Sequence, residues 1–161
     1  MCLLGDGGVG KTSLVRRYVE DVFQDEYIVS FGTKVTKKVL DLGDVELTLM
    51  LWDILGQKSG DALHSAYYKG ASGALLVCDL TRGETVERLN KWRDDFLRVA
   101  PRAKIVLVAN KSDLGCKVPQ DKLDALSRMT ERGLIMTSAK TGDGVERVFL
   151  EMGRLVMEDG K

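Results

Sequence analysis

Short apolar runs alternate along this chain with longer stretches in which apolar positions recur at helical spacing. The runs at 73–79 and 104–110 are apolar on both alternating faces, the pattern of strands buried from two sides. Residues 133–137 give a weaker run of the same kind, and Met1 to Leu4 reads as a short opening strand. Helices are expected near 12–22, 84–99, 119–131 and 143–158; in the last, Val145, Val148, Phe149, Met152, Leu155 and Val156 form one core-facing stripe. One pair breaks the alternation: 35–42 and 45–53 are separated only by Gly43 and Asp44, too short for a crossover, so they should form an antiparallel hairpin at one edge. The expected architecture is therefore α/β: a six-stranded, mostly parallel sheet with one antiparallel edge strand and helices on both faces, in a single domain over 1–161.

Composition narrows the class. At 161 residues, 44% apolar and 30% charged, the chain is long enough for one sizeable core, and no stretch nears the roughly 20 apolar residues of a membrane helix. Charges balance at 24 against 24, without the basic excess that nucleic-acid binding leaves, so the ligand should be a small molecule. Cys2, Cys78 and Cys116 are odd in number and widely spaced, which argues against a disulfide framework or a zinc site; Cys2 and Cys78 read as buried packing residues in a reducing compartment.

The most informative segment is Gly5-Asp6-Gly7-Gly8-Val9-Gly10-Lys11-Thr12, which fills the phosphate-loop pattern G-x-x-x-x-G-K-[ST] at every fixed position, after a strand and before a helix opening at Ser13. Gly7, Gly8 and Gly10 should let the backbone curl and turn its N–H groups inward, Lys11 should reach the outer two phosphates, and the Thr12 hydroxyl is a hard ligand suited to Mg2+. A glycine-rich turn capping a helix is the plain alternative. Three further clusters lie past the carboxyl ends of strands, where open parallel sheets bind ligands. Asp53 ends an apolar run and suits Mg2+ held through water, Gly56 can offer a backbone N–H to a terminal phosphate, and Gln57 can orient an attacking water. In Asn110-Lys111-Ser112-Asp113, the Asp113 carboxylate matches the paired ring N–H and exocyclic amine of guanine, the Lys111 stem can lie along the base, and Asn110 can tie the loop to its neighbours. Alone, that tetrapeptide is also an ordinary polar turn. Ser138-Ala139-Lys140 can bring a backbone N–H to the guanine carbonyl oxygen.

Four such clusters in this order resemble the small GTPases of the Ras superfamily, over essentially the whole chain. Trp52-Asp53-Ile54-x-Gly56-Gln57, Tyr67-Tyr68-Lys69-Gly70-Ala71, Asp79-Leu80-Thr81 and Trp92 are most similar to the Rab-like branch, and 32–38 with Leu55 is similar to archaeal members. The resemblance implies the P-loop NTPase fold and a switch that binds GTP and GDP with Mg2+ and hydrolyses GTP slowly. It also implies that Phe23 contacts the guanine edge, that Tyr27 covers the phosphates, and that segments of about 24–34 and 56–70 switch and are read by effectors.

The chain departs from the family pattern in three places. The switch threonine that binds the metal aligns with Ser30, giving Thr12, Ser30 and Asp53 as the metal set, with Thr33 as the rival hydroxyl. Lys58-Ser59-Gly60-Asp61 stands where relatives carry an acidic and then an aromatic residue, so known effectors do not carry over. The sequence ends without the cysteine that prenylation requires, so no direct membrane anchor is expected within it; trimming at either end is the alternative. With no arginine in the phosphate loop, an activating partner is expected to supply one or to order Gln57, alongside an exchange factor and effectors. The setting implied is cytoplasmic, or peripheral to a membrane through partners. The competing readings are a kinase or ATPase sharing the loop, and a module that retains nucleotide with little hydrolysis.

Overall fold

The computed structural model describes residues 1–20, 33–54 and 62–158, with the backbone alone at 62–64. Six strands form one sheet in the order β2-β3-β1-β4-β5-β6: β1 (Cys2–Leu4), β2 (Thr33–Asp41), β3 (Glu46–Ile54), β4 (Gly73–Asp79), β5 (Lys104–Asn110) and β6 (Leu134–Met136). Among the described residues only the edge pair β2 and β3 is antiparallel; β1 lies parallel between β3 and β4. The short connection at 42–45 forces that hairpin, and Asp41 Oδ1 accepts the Gly43 amide at 2.8 Å to shape the turn.

The two-sided apolar runs become central strands because helices cover both faces. On one face α1 (Lys11–Glu20) and α6 (Val145–Glu158) bury Leu14, Val15, Val148, Phe149 and Met152 against Leu3, Leu75, Val77, Val106 and Val108. The Tyr18 ring stacks on Phe149 at 3.9 Å between centroids. On the other face α2 (Ala62–Tyr68), α3 (Gly83–Glu87), α4 (Leu89–Val99) and α5 (Gln120–Ser127) pack Tyr68, Leu89, Trp92, Phe96, Leu123 and Leu126 against Leu4, Leu76, Cys78, Leu107 and Ala109. Odd and even positions of β4 and β5 thus feed two different cores, as a period of two requires.

Three elements differ from expectation. α2 has seven residues, too few for helical periodicity to register, and is held by Tyr68 meeting Phe96 edge-on at 5.3 Å. The helix expected over 84–99 is divided at Arg88, whose φ of −77° and ψ of −13° open the turn while its amide still bonds Glu84 O at 3.2 Å. α5 stops at Ser127, short of 131, where Met129 tightens to an i→i−3 bond on Leu126. Among the described residues no helix is long and apolar enough to cross a membrane.

Register matters most at the carboxyl ends. Asp79 pairs with Asn110, and Ala109 with Met136, so Asp79, Asn110 and Thr137 stand in one row beside the loop that follows β1.

Burial pushes the Cys78 thiol up to about 12 and that of Cys2 up to about 11, whereas Cys116 is exposed. A thiol reagent at neutral pH should therefore label Cys116 in the folded protein and reach Cys2 and Cys78 only on unfolding; mass spectrometry of the native and urea-treated protein reads the difference.

Candidate functional site

The loop 5–10 leaves β1 under tight steric limits. At Gly5, with φ of +143°, a Cβ would lie 2.2 Å from the Val77 carbonyl oxygen; at Gly10, with φ of +103°, it would lie 2.3 Å from Asn110 Nδ2. Both glycines are demanded by neighbouring strands as well as by dihedral angle. Gly8 is also left-handed at +77°, but Gly7 is not, and a Cβ there would meet nothing within 4 Å. Gly7 shares a turn with Gly8 but needs no positive φ there, so its own conformation does not demand glycine. The α1 ladder begins with the Leu14 amide on Gly10 O at 2.9 Å, leaving the first-turn N–H groups at the mouth of the loop.

Lys11 folds back into this loop, donating to Gly5 O at 2.7 Å and Asp6 O at 2.9 Å. Burial lowers its pKa to about 8, with the Arg82 charge adding to that, against the pull of Asp53 and Asp6. Two neutral carbonyls are weak partners for a buried ammonium, and an anion would suit it better.

Asp53 is 2% exposed at the end of β3 and accepts the Thr12 hydroxyl on Oδ2 at 2.6 Å. Its Oδ1 is buried and has no hydrogen-bond partner among the described residues. Burial drives its carboxyl above the ordinary range, against the opposing effects of Thr12, Lys11 and Lys34. A buried anionic oxygen left unmatched beside a hydroxyl is the donor chemistry that a hard divalent cation requires, so these residues fit Mg2+.

Asn110 joins the phosphate side to the base side. Its Nδ2 donates to Val9 O at 2.9 Å, while its Oδ1 accepts from Thr137 Oγ1 at 3.0 Å and the Ala139 amide at 3.2 Å. Asp113 Oδ1 accepts the Ser138 hydroxyl at 2.6 Å, bringing the loops after β5 and β6 together. Lys111 adopts φ of +67°, and its Nζ meets Asp79 Oδ2 at 2.7 Å, which stretches its stem between the ends of β5 and β4.

The sequence model of the Ras family matches residues 1–158. Ras-related protein SEC4 of Saccharomyces cerevisiae is 35% identical over 158 residues, which cover 97% of this chain and 74% of that protein. Ras-related protein Rab-7b of Homo sapiens is 36% identical over 154 residues, covering 92% and 77%. The chain belongs to the Ras family of small GTPases. It is Rab-like, and as a GTPase it binds GTP and hydrolyses it to GDP and phosphate.

Around this GTPase's site stand residues whose contacts could not be read from any motif. The Asp6 side chain turns toward α4, where Oδ1 accepts from Trp92 Nε1 at 2.9 Å and Oδ2 from Arg88 Nη1 at 2.8 Å; toward the site it presents a carbonyl. Arg17 of α1 donates through Nε to Ala139 O at 2.8 Å and through Nη2 to Lys140 O, holding the third loop from the other face. Asp79 is 1% exposed and receives Lys111, Arg82 and both the amide and hydroxyl of Thr81. Burial alone would raise the Asp79 carboxyl, but the hydrogen bonds from Lys111 and Thr81 and the Lys111 charge outweigh it and hold it low. Arg82 also donates from Nη2 to Gly7 O at 2.9 Å. Two signals for Asp79 were available: it stands in the Asp79-Leu80-Thr81 motif, and like Asn110 it is a polar residue ending a two-sided apolar strand.

Thr33 opens β2 and pairs with Ile54. Phe23, Tyr27, Ser30, Gly56 and Gln57 lie outside the described residues, as do 24–32 and 56–61 of the two switch segments.

Replacing Asn110 with Ala strips partners from Val9 O, Thr137 Oγ1 and the Ala139 amide at once. Urea unfolding of the nucleotide-free protein should show Asn110→Ala destabilised by at least about 2 kcal/mol, since each buried polar group left unpaired costs about 1–3 kcal/mol.

Proposed function

We propose that this GTPase is a Mg2+-dependent guanine-nucleotide switch whose phosphates lie on residues 6–13 and whose base lies between Lys111, Asp113 and 138–140. The observation that carries this reading is the buried, unmatched Oδ1 of Asp53 beside the Thr12 hydroxyl, because that pair leaves an anionic site one hard cation would complete. Thr12, Asp53 and Ser30 would hold the metal, with Thr33 as the rival to Ser30. When bound, Mg2+ draws charge from the outer two phosphates.

The chain's own residues do the rest. Lys11 exchanges its two carbonyls for phosphate oxygens, and the loop N–H groups meet charge that spreads over the transferred group. Gln57 aligns the attacking water, with the Gly56 amide on the terminal phosphate. Asp113 accepts the two guanine N–H groups, the Lys111 stem supports the base, a backbone N–H of 138–140 meets the guanine carbonyl oxygen, and Phe23 and Tyr27 close over base edge and phosphates. Segments 24–34 and 56–70 follow the terminal phosphate and are read by effectors, with an exchange factor and an activating partner setting the cycle. The chain acts as one G domain over 1–161, in the cytoplasm or at a membrane through partners.

Asp113→Asn should weaken GTP on the order of a hundredfold or more, at about 1.5–3 kcal/mol per hydrogen bond to a charged group, and shift preference toward xanthine nucleotides. Competition binding reads this, and an ATP-selective wild type would sink it. Gln57→Leu should slow phosphate release while nucleotide stays bound, and chelating Mg2+ should speed loss of bound GDP. Equal release rates for Gln57→Leu and wild type would remove the role given to Gln57.

A further inference from the structure

Arg82 lies in the turn after β4, outside every motif that marks the site, yet its guanidinium touches the phosphate loop. Nη2 donates to the Gly7 carbonyl at 2.9 Å, and Nε donates at 3.1 Å to Oδ2 of the buried Asp79. The side chain is 37% exposed, so the guanidinium is open to solvent where it meets the loop. Asp79 is itself held by Thr81 and Lys111, which makes it a fixed anchor. Arg82 therefore presents a planar cation with one edge pinned, and Nη1 has no partner among the described residues. A neutral carbonyl is a modest partner for a guanidinium, and a charged phosphate oxygen arriving in the same loop is a stronger one.

We propose that Arg82 is a catalytic residue of this GTPase, an arginine supplied by the chain itself to the phosphoryl group in transfer. The oxygen of water forms a bond to the γ-phosphorus as the bond to the β–γ bridging oxygen breaks. The electron pair leaves on the β-phosphate of GDP, and the water proton ends on inorganic phosphate. Arg82 neither gains nor loses a proton; it donates hydrogen bonds to the phosphoryl oxygens, where negative charge grows. A Cβ at Gly7 would meet nothing within 4 Å, so the space beside that residue of the loop is open. Asp79 is the positioning residue, and since it also binds Lys111, it ties the cation at the phosphates to the lysine at the base.

The inference rests on the phosphate-loop reading, so nucleotide binding is measured apart from turnover. Single-turnover hydrolysis of bound GTP is followed in the full chain, without any partner, for wild type, Arg82→Ala and Arg82→Lys, with GTP and GDP affinities and thermal midpoints alongside. GDP with aluminium fluoride, which imitates the phosphoryl group in flight, is titrated into each. Arg82→Ala should hydrolyse roughly 10- to 30-fold more slowly at unchanged GDP affinity, the gap that separates related enzymes with and without an internal arginine. It should also lose the aluminium fluoride complex that wild type forms, while Arg82→Lys keeps the charge without the fork and recovers part of the rate. Hydrolysis at the wild-type rate in Arg82→Ala would overturn the proposal. So would a fall in GTP and GDP affinity together with an unchanged rate per bound GTP, which would make Arg82 a strap on the loop. A wild type that binds no GTP would instead overturn the phosphate-loop reading itself.

Discussion

The geometry of the site depends on one buried amide. Asn110 donates to the backbone of the phosphate loop and accepts from the loop after β6, so a single side chain sets the distance between the place for phosphates and the place for the base. All of its partners are buried, which makes the arrangement costly to leave half made. It reaches them only because the parallel register brings Asp79, Asn110 and Thr137 level and because Gly10 has no Cβ where the amide stands. Sheet register, a glycine and an asparagine are thus one constraint seen from three sides.

Buried charges sort themselves by how completely they are answered. Asp79 has four donors across its two oxygens and is held ionised, which suits a structural anchor. Asp53 has one, on one oxygen, and burial works against its charge. Among the described residues Lys11 donates only to carbonyls. An under-compensated anion and an under-compensated cation, side by side at a helix N-terminus, are what a ligand carrying a metal and phosphates would complete, whereas the satisfied carboxylate is scaffold.

The central strands were legible because two-sided burial leaves a short apolar run, of strand rather than helix length, bounded by turn residues. The hairpin followed from a connection too short for a crossover. α2 was not legible: seven residues hold less than two helical turns, and its place is decided by Tyr68 against Phe96. The division at Arg88 escaped for a related reason, since its dihedrals stay in the right-handed helical region and its amide keeps the bond to Glu84 O, so the opened turn is a small local departure.

The order of chemical groups along the chain, the glycines of the loop, the lysine and threonine after them, and the polar residues ending apolar strands are local properties, and sequence alone determined them. With them came the α/β class and the resemblance to the Ras family. The tertiary structure decided which polar atoms meet. It turned Asp6 away from the site toward Trp92, brought Arg17 to the third loop, and set Arg82 against the phosphate loop from 75 residues away. Contacts between loops depend on strand register and side-chain rotamers, and neither leaves a periodic trace in sequence.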